Sequence, residues 1–172
     1  MIANFAATHM DLESVWLVVS PHNPLKTKES LAPDRERLHL VRLAIEDNIK
    51  LQACDIEFNL PKPSYTIDTL TYIQEKYPQH EFHLIMGADS LLTIPKWKNY
   101  ELLLKNHSFY VYPRPGEDLS NWKQYPNIKL IEAPQMLLSA TQIRRYIKEK
   151  KSIKYLVPIQ VEEYLVTSHF FK

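Results

Sequence analysis

The stretch that decides the fold is EFHLIMGADSLLTIPKWK, at residues 81–98. Its apolar segment 82–86 predicts a buried strand that stops at Gly87, and a helix is predicted to begin a few residues later. Open α/β sheets bind ligands beyond the carboxyl ends of their strands, and Asp89 lies at such an end. With the flat ring of Trp97 downstream, the stretch predicts a small-molecule site, although a strand-to-helix turn with a packing tryptophan would have the same pattern.

Outward from this stretch, predicted strands and helices alternate along the chain. The predicted strands span residues 15–19, 50–58, 82–86, 107–112 and 127–132. The predicted helices are a terminal helix at 2–8, one at 35–47 capped by Asp34, one capped by Thr66, one at 100–105, one that begins at Ser139 and a last one after Pro158. This alternation predicts an α/β fold, a doubly wound parallel sheet in a single domain over residues 1–172, whose part after residue 139 is helical.

The bulk composition excludes several classes of protein. The 172 residues carry a net charge of +1, so no global basic field predicts binding to nucleic acid. The single cysteine, Cys54, excludes an internal disulfide and fits a reducing compartment. No apolar run approaches the ~20 residues of a membrane span, and no secretion signal is recognisable. We therefore expect a soluble cytoplasmic protein, monomeric or homo-oligomeric, that acts on small molecules rather than on nucleic acid or membranes.

Charged side chains follow several of the predicted strands. Lys26 lies in the Pro-rich loop after the first predicted strand, and Arg114 follows the fourth as Asp89 follows the third. Each therefore offers a ligand-competent group at the edge where open sheets bind their ligands. His80 and His83 have a spacing that points them to opposite faces of a strand, so no metal site is predicted within the chain.

Residues 139–145, SATQIRR, predict a helix start with an anion site. Ser139 and Gln142 have the spacing of a capping box. The hydroxyls of Ser139 and Thr141, the first backbone N–H groups and Arg144 one turn into the helix are groups that bind phosphate. A capped amphipathic helix with a solvated arginine would have the same sequence, so the pattern alone leaves both interpretations open.

Five motifs together resemble one enzyme family. They are SYTIDTL at 64–70, GADSLL at 87–92 with PKW at 95–97, RPG at 114–116, SATQIR at 139–144 and IKYLVP at 153–158. Their order and spacing resemble bacterial nicotinate-nucleotide adenylyltransferases, in the nucleotidyltransferase superfamily, over essentially the whole chain. The resemblance implies a Rossmann-like fold, and transfer of an adenylyl group from ATP to nicotinate mononucleotide, giving deamido-NAD and pyrophosphate in NAD biosynthesis. It also implies Mg²⁺ bound with the ATP phosphates. The alternatives are a related nucleotidyltransferase acting on phosphopantetheine or nicotinamide mononucleotide, and a non-catalytic nucleotide-binding protein.

The resemblance also implies roles for individual residues. Trp97 would stack on the nicotinate ring, in a pocket lined by Tyr65 and Thr66. Arg114 would approach the nicotinate carboxylate, and Asp89 would hold ribose hydroxyls. The ATP phosphates would be held by a second set, made up of Lys26, Gly87, Ser139, Thr141 and Arg144. The family's P-P-H-K pattern reads NPLK at 23–26, which weakens the match at Lys26.

One family motif is absent from the sequence. The family's first strand ends in G-x-F-D-P-x-H-x-G-H, and neither Gly87 nor Gly116 is followed by residues that fit it. Because the helix after that motif resembles residues 2–4, the resemblance implies that the first strand and its catalytic histidines would precede Met1, and no catalytic residue is assigned in the chain. This strand is central in the implied sheet order 3-2-1-4-5, so a sheet without it is expected to have two unpaired inner edges.

Overall fold

The computed structural model describes residues 1–21, 32–122, 124–168 and 170–171. Lys26 lies outside these ranges, so its role stays a prediction. None of the helices in the described ranges has the length and apolar character that a membrane crossing requires.

Helices and strands alternate through most of the chain, as predicted. The helices are α1 Ile2–His9, α2 Asp34–Ile45, α3 Thr66–Lys76, α4 Ala88–Leu91, α5 Tyr100–Asn106, α6 Ala140–Lys148 and α7 Ile159–Thr167. The strands are β1 Val15–Val18, β2 Leu51–Cys54, β3 Leu84–Gly87, β4 Phe109–Tyr112 and β5 Ile128–Leu130. All of the strand pairs are parallel, with β1 beside β2 and with β3, β4 and β5 side by side, which confirms the predicted α/β class.

The strands form two separate sheets, and a cavity lies between them. Within the described ranges, β1 pairs only with β2, and β3 pairs only with β4. The intervening cavity of about 900 Å³ is lined by residues 15–19 on one side and 84–87 on the other. The break therefore falls at the position where the resemblance implies a missing central strand.

Side chains hold the two sheets together. Trp16 of β1 makes edge contacts with Tyr77, at 5.0 Å between ring centroids, and with Phe82, at 5.4 Å. Behind the sheets, Ala6 and Ala7 of α1 share one buried cluster with Val15 and the tyrosines of β4. Since burial of apolar surface is the main favourable term in folding, these contacts link the two sheets.

The predicted strand at 50–58 is wrong beyond Cys54. Residues 56–59 form a 3-10 turn instead. Ile56 and Glu57 are adjacent and both buried, which a half-buried strand with alternating faces does not allow. The strand predicted at 82–86 likewise begins only at Leu84, because Phe82 packs on Trp16 rather than entering the ladder.

Two of the three predicted helix caps are displaced by one residue. Asp34 and Thr66 are the first residues of their helices, and Pro33 and Tyr65 occupy the cap positions. Asp34 pairs with Arg37 at 2.7 Å, a contact within the first turn that also suits the helix dipole. The cap at Ser139 is confirmed, since its Oγ accepts a hydrogen bond from the Gln142 amide at 3.1 Å.

Candidate functional site

The ends of β3 and β4 bring the predicted carboxylate and guanidinium together. The ladder pairs Gly87 with Tyr112, so the residues two positions further on, Asp89 and Arg114, lie side by side. Arg114 Nε is 3.4 Å from Asp89 Oδ1, and both side chains are about half exposed. An exposed ion pair adds little stability, so both groups remain available to a ligand.

Gly87 allows the Asp89 carboxylate to fold back over the end of β3. A Cβ at this position would overlap Oδ1 of Asp89 and would stand 3.6 Å from Nε of Arg114. Glycine is therefore required here because the Asp89 side chain comes close to the backbone, and not because the backbone angle is unusual. Its predicted contact with ATP phosphate stays a prediction.

The start of α3 lies beside the segment that carries Trp97. Lys98 Nζ is 4.9 Å from the centroid of the Tyr65 ring and bonds to the Asp68 carboxylate at 2.8 Å. The Trp97 indole N–H donates to Thr93 Oγ1 at 3.3 Å, and its ring is partly buried against the core. Lys98, the residue after Trp97, thus links this segment to the start of α3. The sequence prediction did not include Lys98 or Asp68 among the site residues. Lys98 follows Trp97 directly and Asp68 lies in the first turn of α3, so the sequence could have indicated both.

Some of the predicted binding residues line the cavity between the sheets and others do not. Thr66, Gly87 and Arg114 are part of the lining. Tyr65, Asp89 and Trp97 are outside the lining that the described residues define. The cavity and the surface at the strand ends therefore meet along Thr66 and Arg114, and the aromatic side chains stand to one side of it.

Three of the five predicted phosphate residues, Ser139, Thr141 and Arg144, lie at the start of α6. Ser139 caps the helix, and the Arg144 guanidinium donates to Thr141 Oγ1 at 3.1 Å. Ser139 and Thr141 are exposed and Arg144 is half-buried. The N-terminus of a helix with a guanidinium one turn in is a suitable receptor for an anion.

Comparisons with known proteins place the chain in a family. The family model described as cytidylyltransferase-like matches residues 1–146. A protein from Flavobacterium johnsoniae is 51% identical over 174 residues, which cover 100% of this chain and 90% of the relative. One from Cytophaga hutchinsonii is 48% identical over 99% of this chain and 89% of the relative. Both relatives are named as probable nicotinate-nucleotide adenylyltransferases.

The chain belongs to the nicotinate-nucleotide adenylyltransferase family. The fold agrees with this assignment, because a solved nicotinic acid mononucleotide adenylyltransferase of Plasmodium falciparum, complexed with NaAD, superposes with a TM-score of 0.82. The match covers 99% of this chain and 88% of that protein, at 18% identity. The predicted Rossmann-like nucleotidyltransferase fold is confirmed by these matches.

A buried carboxylate in this family member escaped the sequence prediction. Glu57 lines the cavity and is 7% exposed, and its Oε1 accepts a hydrogen bond from Thr69 Oγ1 at 2.9 Å. This bond joins the 3-10 turn to the first turn of α3. Its Oε2 is buried without a partner among the described residues. A buried acceptor without a donor is costly, so whatever occupies the cavity is expected to supply one.

The chemistry available at the site is that of binding and charge stabilisation. Burial raises the pKa of the Cys54 thiol, which keeps it protonated and makes it a poor nucleophile. Among the described residues, no three His, Cys, Asp or Glu side chains lie close enough to form a metal cage. The candidate site offers an ion pair, hydroxyls and an aromatic ring to a ligand.

Proposed function

We propose that this chain transfers the adenylyl group of ATP to nicotinate mononucleotide, producing deamido-NAD and pyrophosphate. The observation that carries the proposal is the pairing of Asp89 and Arg114 at the ends of adjacent parallel strands, in a chain 51% identical to a relative of that name. Open α/β sheets bind their ligands at this edge, so the pair stands where a nucleotide would lie.

The reaction requires positioning more than proton transfer. A phosphate oxygen of the mononucleotide attacks the α-phosphorus of ATP, the new P–O bond forms, and the bond to the leaving pyrophosphate breaks. Because the attacking phosphate is already an anion at neutral pH, no general base in the chain is needed. Catalysis then depends on alignment of the two phosphates and on cations that neutralise their charge.

The acceptor would bind beside the ends of β3 and β4. Trp97, held by Thr93, offers its ring face to the nicotinate ring. Arg114 supplies a cation for the nicotinate carboxylate, and Asp89 accepts hydrogen bonds from ribose hydroxyls. Tyr65 and Thr66 form the wall at the start of α3. The Asp89–Arg114 pair would open when the ligand arrives, at small cost because the pair is exposed.

ATP would place its phosphates at the start of α6. The hydroxyls of Ser139 and Thr141, the first N–H groups of the helix and the Arg144 guanidinium converge there. These groups suit the phosphates rather than a metal, so a Mg²⁺ ion would be held mainly through the substrate phosphates and its own waters. When bound, it would neutralise charge on the phosphates. Lys26 and Gly87 remain predicted members of the same site.

We also propose that a further strand fills the cavity between β1 and β3 and brings the family's histidine motif to the site. The break in the sheet at this position supports the proposal. The free Oε2 of Glu57 supports it as well, since a strand would bring backbone N–H groups into the cavity. In this arrangement the residues named above would select and hold the substrates, and the histidines would contact the phosphates.

The acceptor is tested by measuring pyrophosphate release with ATP and each of nicotinate mononucleotide, nicotinamide mononucleotide and phosphopantetheine. We expect the highest kcat/KM with the nicotinate form. Preference for phosphopantetheine would replace the proposal with the related transferase. Binding of ATP in calorimetry without pyrophosphate release from any acceptor would favour a non-catalytic nucleotide-binding protein. A cytoplasmic location and a homo-oligomeric state remain predictions.

A further inference from the structure

A buried tyrosine at the end of β4 reaches across to the segment that leads into α6. Tyr112 is 3% exposed, and its ring lies in the same cluster as Ile131 and Ala133. Its hydroxyl donates to the Pro134 carbonyl at 2.8 Å and accepts from the Met136 amide at 2.9 Å. One side chain therefore binds two backbone groups of the same short segment.

Residues 134–136 form what we call the strap, a segment fixed to β4 mainly by side chains. The β4–β5 ladder ends near the Ile131 amide, which donates to the Val111 carbonyl at 2.8 Å. Beyond that point, the two bonds of Tyr112 are joined by a third, from Gln135 Nε2 to the Pro113 carbonyl at 3.2 Å. These three bonds continue the attachment of the chain to β4 past the end of the ladder.

The strap leads directly into the candidate phosphate site. Met136 is three residues before Ser139, the cap of α6. The strap itself is exposed, so apolar packing does little to hold it. Fixing one residue's backbone costs about 1–2 kcal/mol in conformational entropy, so a segment without these bonds would let the start of α6 move.

We propose that Tyr112 is a positioning residue for ATP. The Tyr112 hydroxyl fixes the strap, and the strap in turn sets the position of Ser139, Thr141 and Arg144 relative to the ends of β3 and β4. This inference rests on the proposed adenylyl transfer. It assigns to Tyr112 no contact with substrate. It also predicts that loss of the hydroxyl affects binding of ATP but not binding of the mononucleotide, because the backbone pairing of Tyr112 with Gly87 does not depend on the hydroxyl. The acceptor side of the site, Asp89 and Arg114, should then be insensitive to its loss.

Tyr112→Phe tests the inference, with Tyr110→Phe as a matched control. Both tyrosines lie on β4, on the same face and in the same buried cluster, and the Tyr110 hydroxyl makes no hydrogen bond within the described residues. We expect Tyr112→Phe to raise the KM for ATP about tenfold, which corresponds to about 1.4 kcal/mol, and to leave the KM for the mononucleotide within about twofold. The control should change neither KM.

A second variant and a second measurement separate positioning from general damage to the fold. Gln135→Ala removes the third bond through an exposed side chain, and should raise the KM for ATP about twofold. Hydrogen exchange at the Met136 amide should be faster in Tyr112→Phe than in Tyr110→Phe. Equal increases in both KM values, or faster exchange with an unchanged KM for ATP, would overturn the inference.

Failure of the inference can be told apart from failure of the proposed function. The dissociation constant for ATP alone, measured by calorimetry, does not depend on which acceptor the enzyme uses. If no acceptor supports pyrophosphate release, weaker ATP binding in Tyr112→Phe but not in Tyr110→Phe would still support the role of Tyr112. If transfer occurs and both variants bind ATP as tightly as the unaltered chain, the inference is wrong while the function stands.

Discussion

At the scale of single residues, we propose that Trp97 gives the site its selectivity for the acceptor. Its indole is fixed by the hydrogen bond to Thr93 and by partial burial against the core, so the ring is already oriented before a ligand binds. A ring held in place loses little further entropy on stacking, which favours binding of a flat nicotinate ring.

Trp97→Ala should raise the KM for nicotinate mononucleotide by about tenfold or more, since stacking of a base on an aromatic side chain is worth about 1–3 kcal/mol. The KM for ATP should change far less. Steady-state kinetics with each substrate varied in turn measures the two effects, and Trp122→Ala, in the loop before β5, controls for loss of a partly buried tryptophan. Equal increases in both KM values would contradict the stacking role.

His107 links stability to pH. It is 7% exposed, and burial lowers its pKa below the usual 6.5. A lowered folded-state pKa means that the unfolded chain binds the proton more readily. The contribution of neutral His107 to the free energy of unfolding is therefore fully present above pH 6.5, and it is lost as the pH falls toward the folded-state pKa.

We expect the free energy of unfolding in urea to decrease between pH 7 and pH 5.5, and we expect His107→Gln to reduce this slope. The variant removes the titrating ring and leaves the other histidines and the carboxylates in place, so the difference between the two slopes isolates His107. An unchanged slope in the variant would show that the pH dependence comes from other groups.

At the scale of elements, the parallel register of β3 and β4 decides which side chains meet. The pairing of Gly87 with Tyr112 places Asp89 against Arg114, and the absence of a Cβ at Gly87 lets the carboxylate take that position. In the proposed arrangement, the two strands form the acceptor side of the site as one unit.

Gly87→Ala should displace the Asp89 carboxylate and raise the KM for the mononucleotide about tenfold, with little loss of stability because alanine is not strained in this strand. A double-mutant cycle with Asp89→Ala gives the control. If the glycine acts through the carboxylate, Gly87→Ala should have little further effect once Asp89 is gone. Additive effects would mean that the glycine acts independently, for example by direct contact with phosphate.

The sequence predicted those elements whose signal is local. The β-branched run at 15–19 matches β1, and Ser139 caps α6 as its own hydroxyl chemistry requires. Asp34 and Thr66 were misplaced by one residue because acids and hydroxyl residues also favour the first turn of a helix. Local signals therefore fix the type of an element better than its first residue.

The contacts that build the site could be predicted only in part. That Asp89 and Arg114 end strands of one sheet follows from the order of elements, but their contact depends on a register that no local pattern specifies. The contact of Lys98 with Asp68 spans 30 residues and arises from tertiary packing. The hydrogen bonds of Tyr112 to the strap are of the same kind.

At the scale of the whole molecule, the split between the two sheets is the main departure from a doubly wound sheet. Two inner strand edges face a cavity of about 900 Å³, and the buried Glu57 carboxylate lacks a second donor there within the described residues. Unpaired inner edges are unfavourable in a protein of ordinary marginal stability. This geometry supports the proposal that a further strand occupies the cavity.

The intact mass of the protein isolated from its natural source tests this proposal. If the strand belongs to the same polypeptide, the mass should exceed the 20.3 kDa of the 172 residues, and N-terminal sequencing should read a strand that ends in the histidine motif. A mass of 20.3 kDa from a sample that unfolds cooperatively would mean that the protein is stable with the cavity unfilled by its own chain.

The identity of the dinucleotide product tests the central claim most directly. The natural protein, incubated with Mg²⁺, nicotinate mononucleotide and ATP labelled with ¹⁸O at the non-bridging oxygens of its α-phosphate, should form labelled deamido-NAD and release unlabelled pyrophosphate, as detected by mass spectrometry. Arg114→Ala should form the same product at a lower kcat/KM for the mononucleotide. Absence of any labelled dinucleotide from folded protein that binds both substrates would contradict the account.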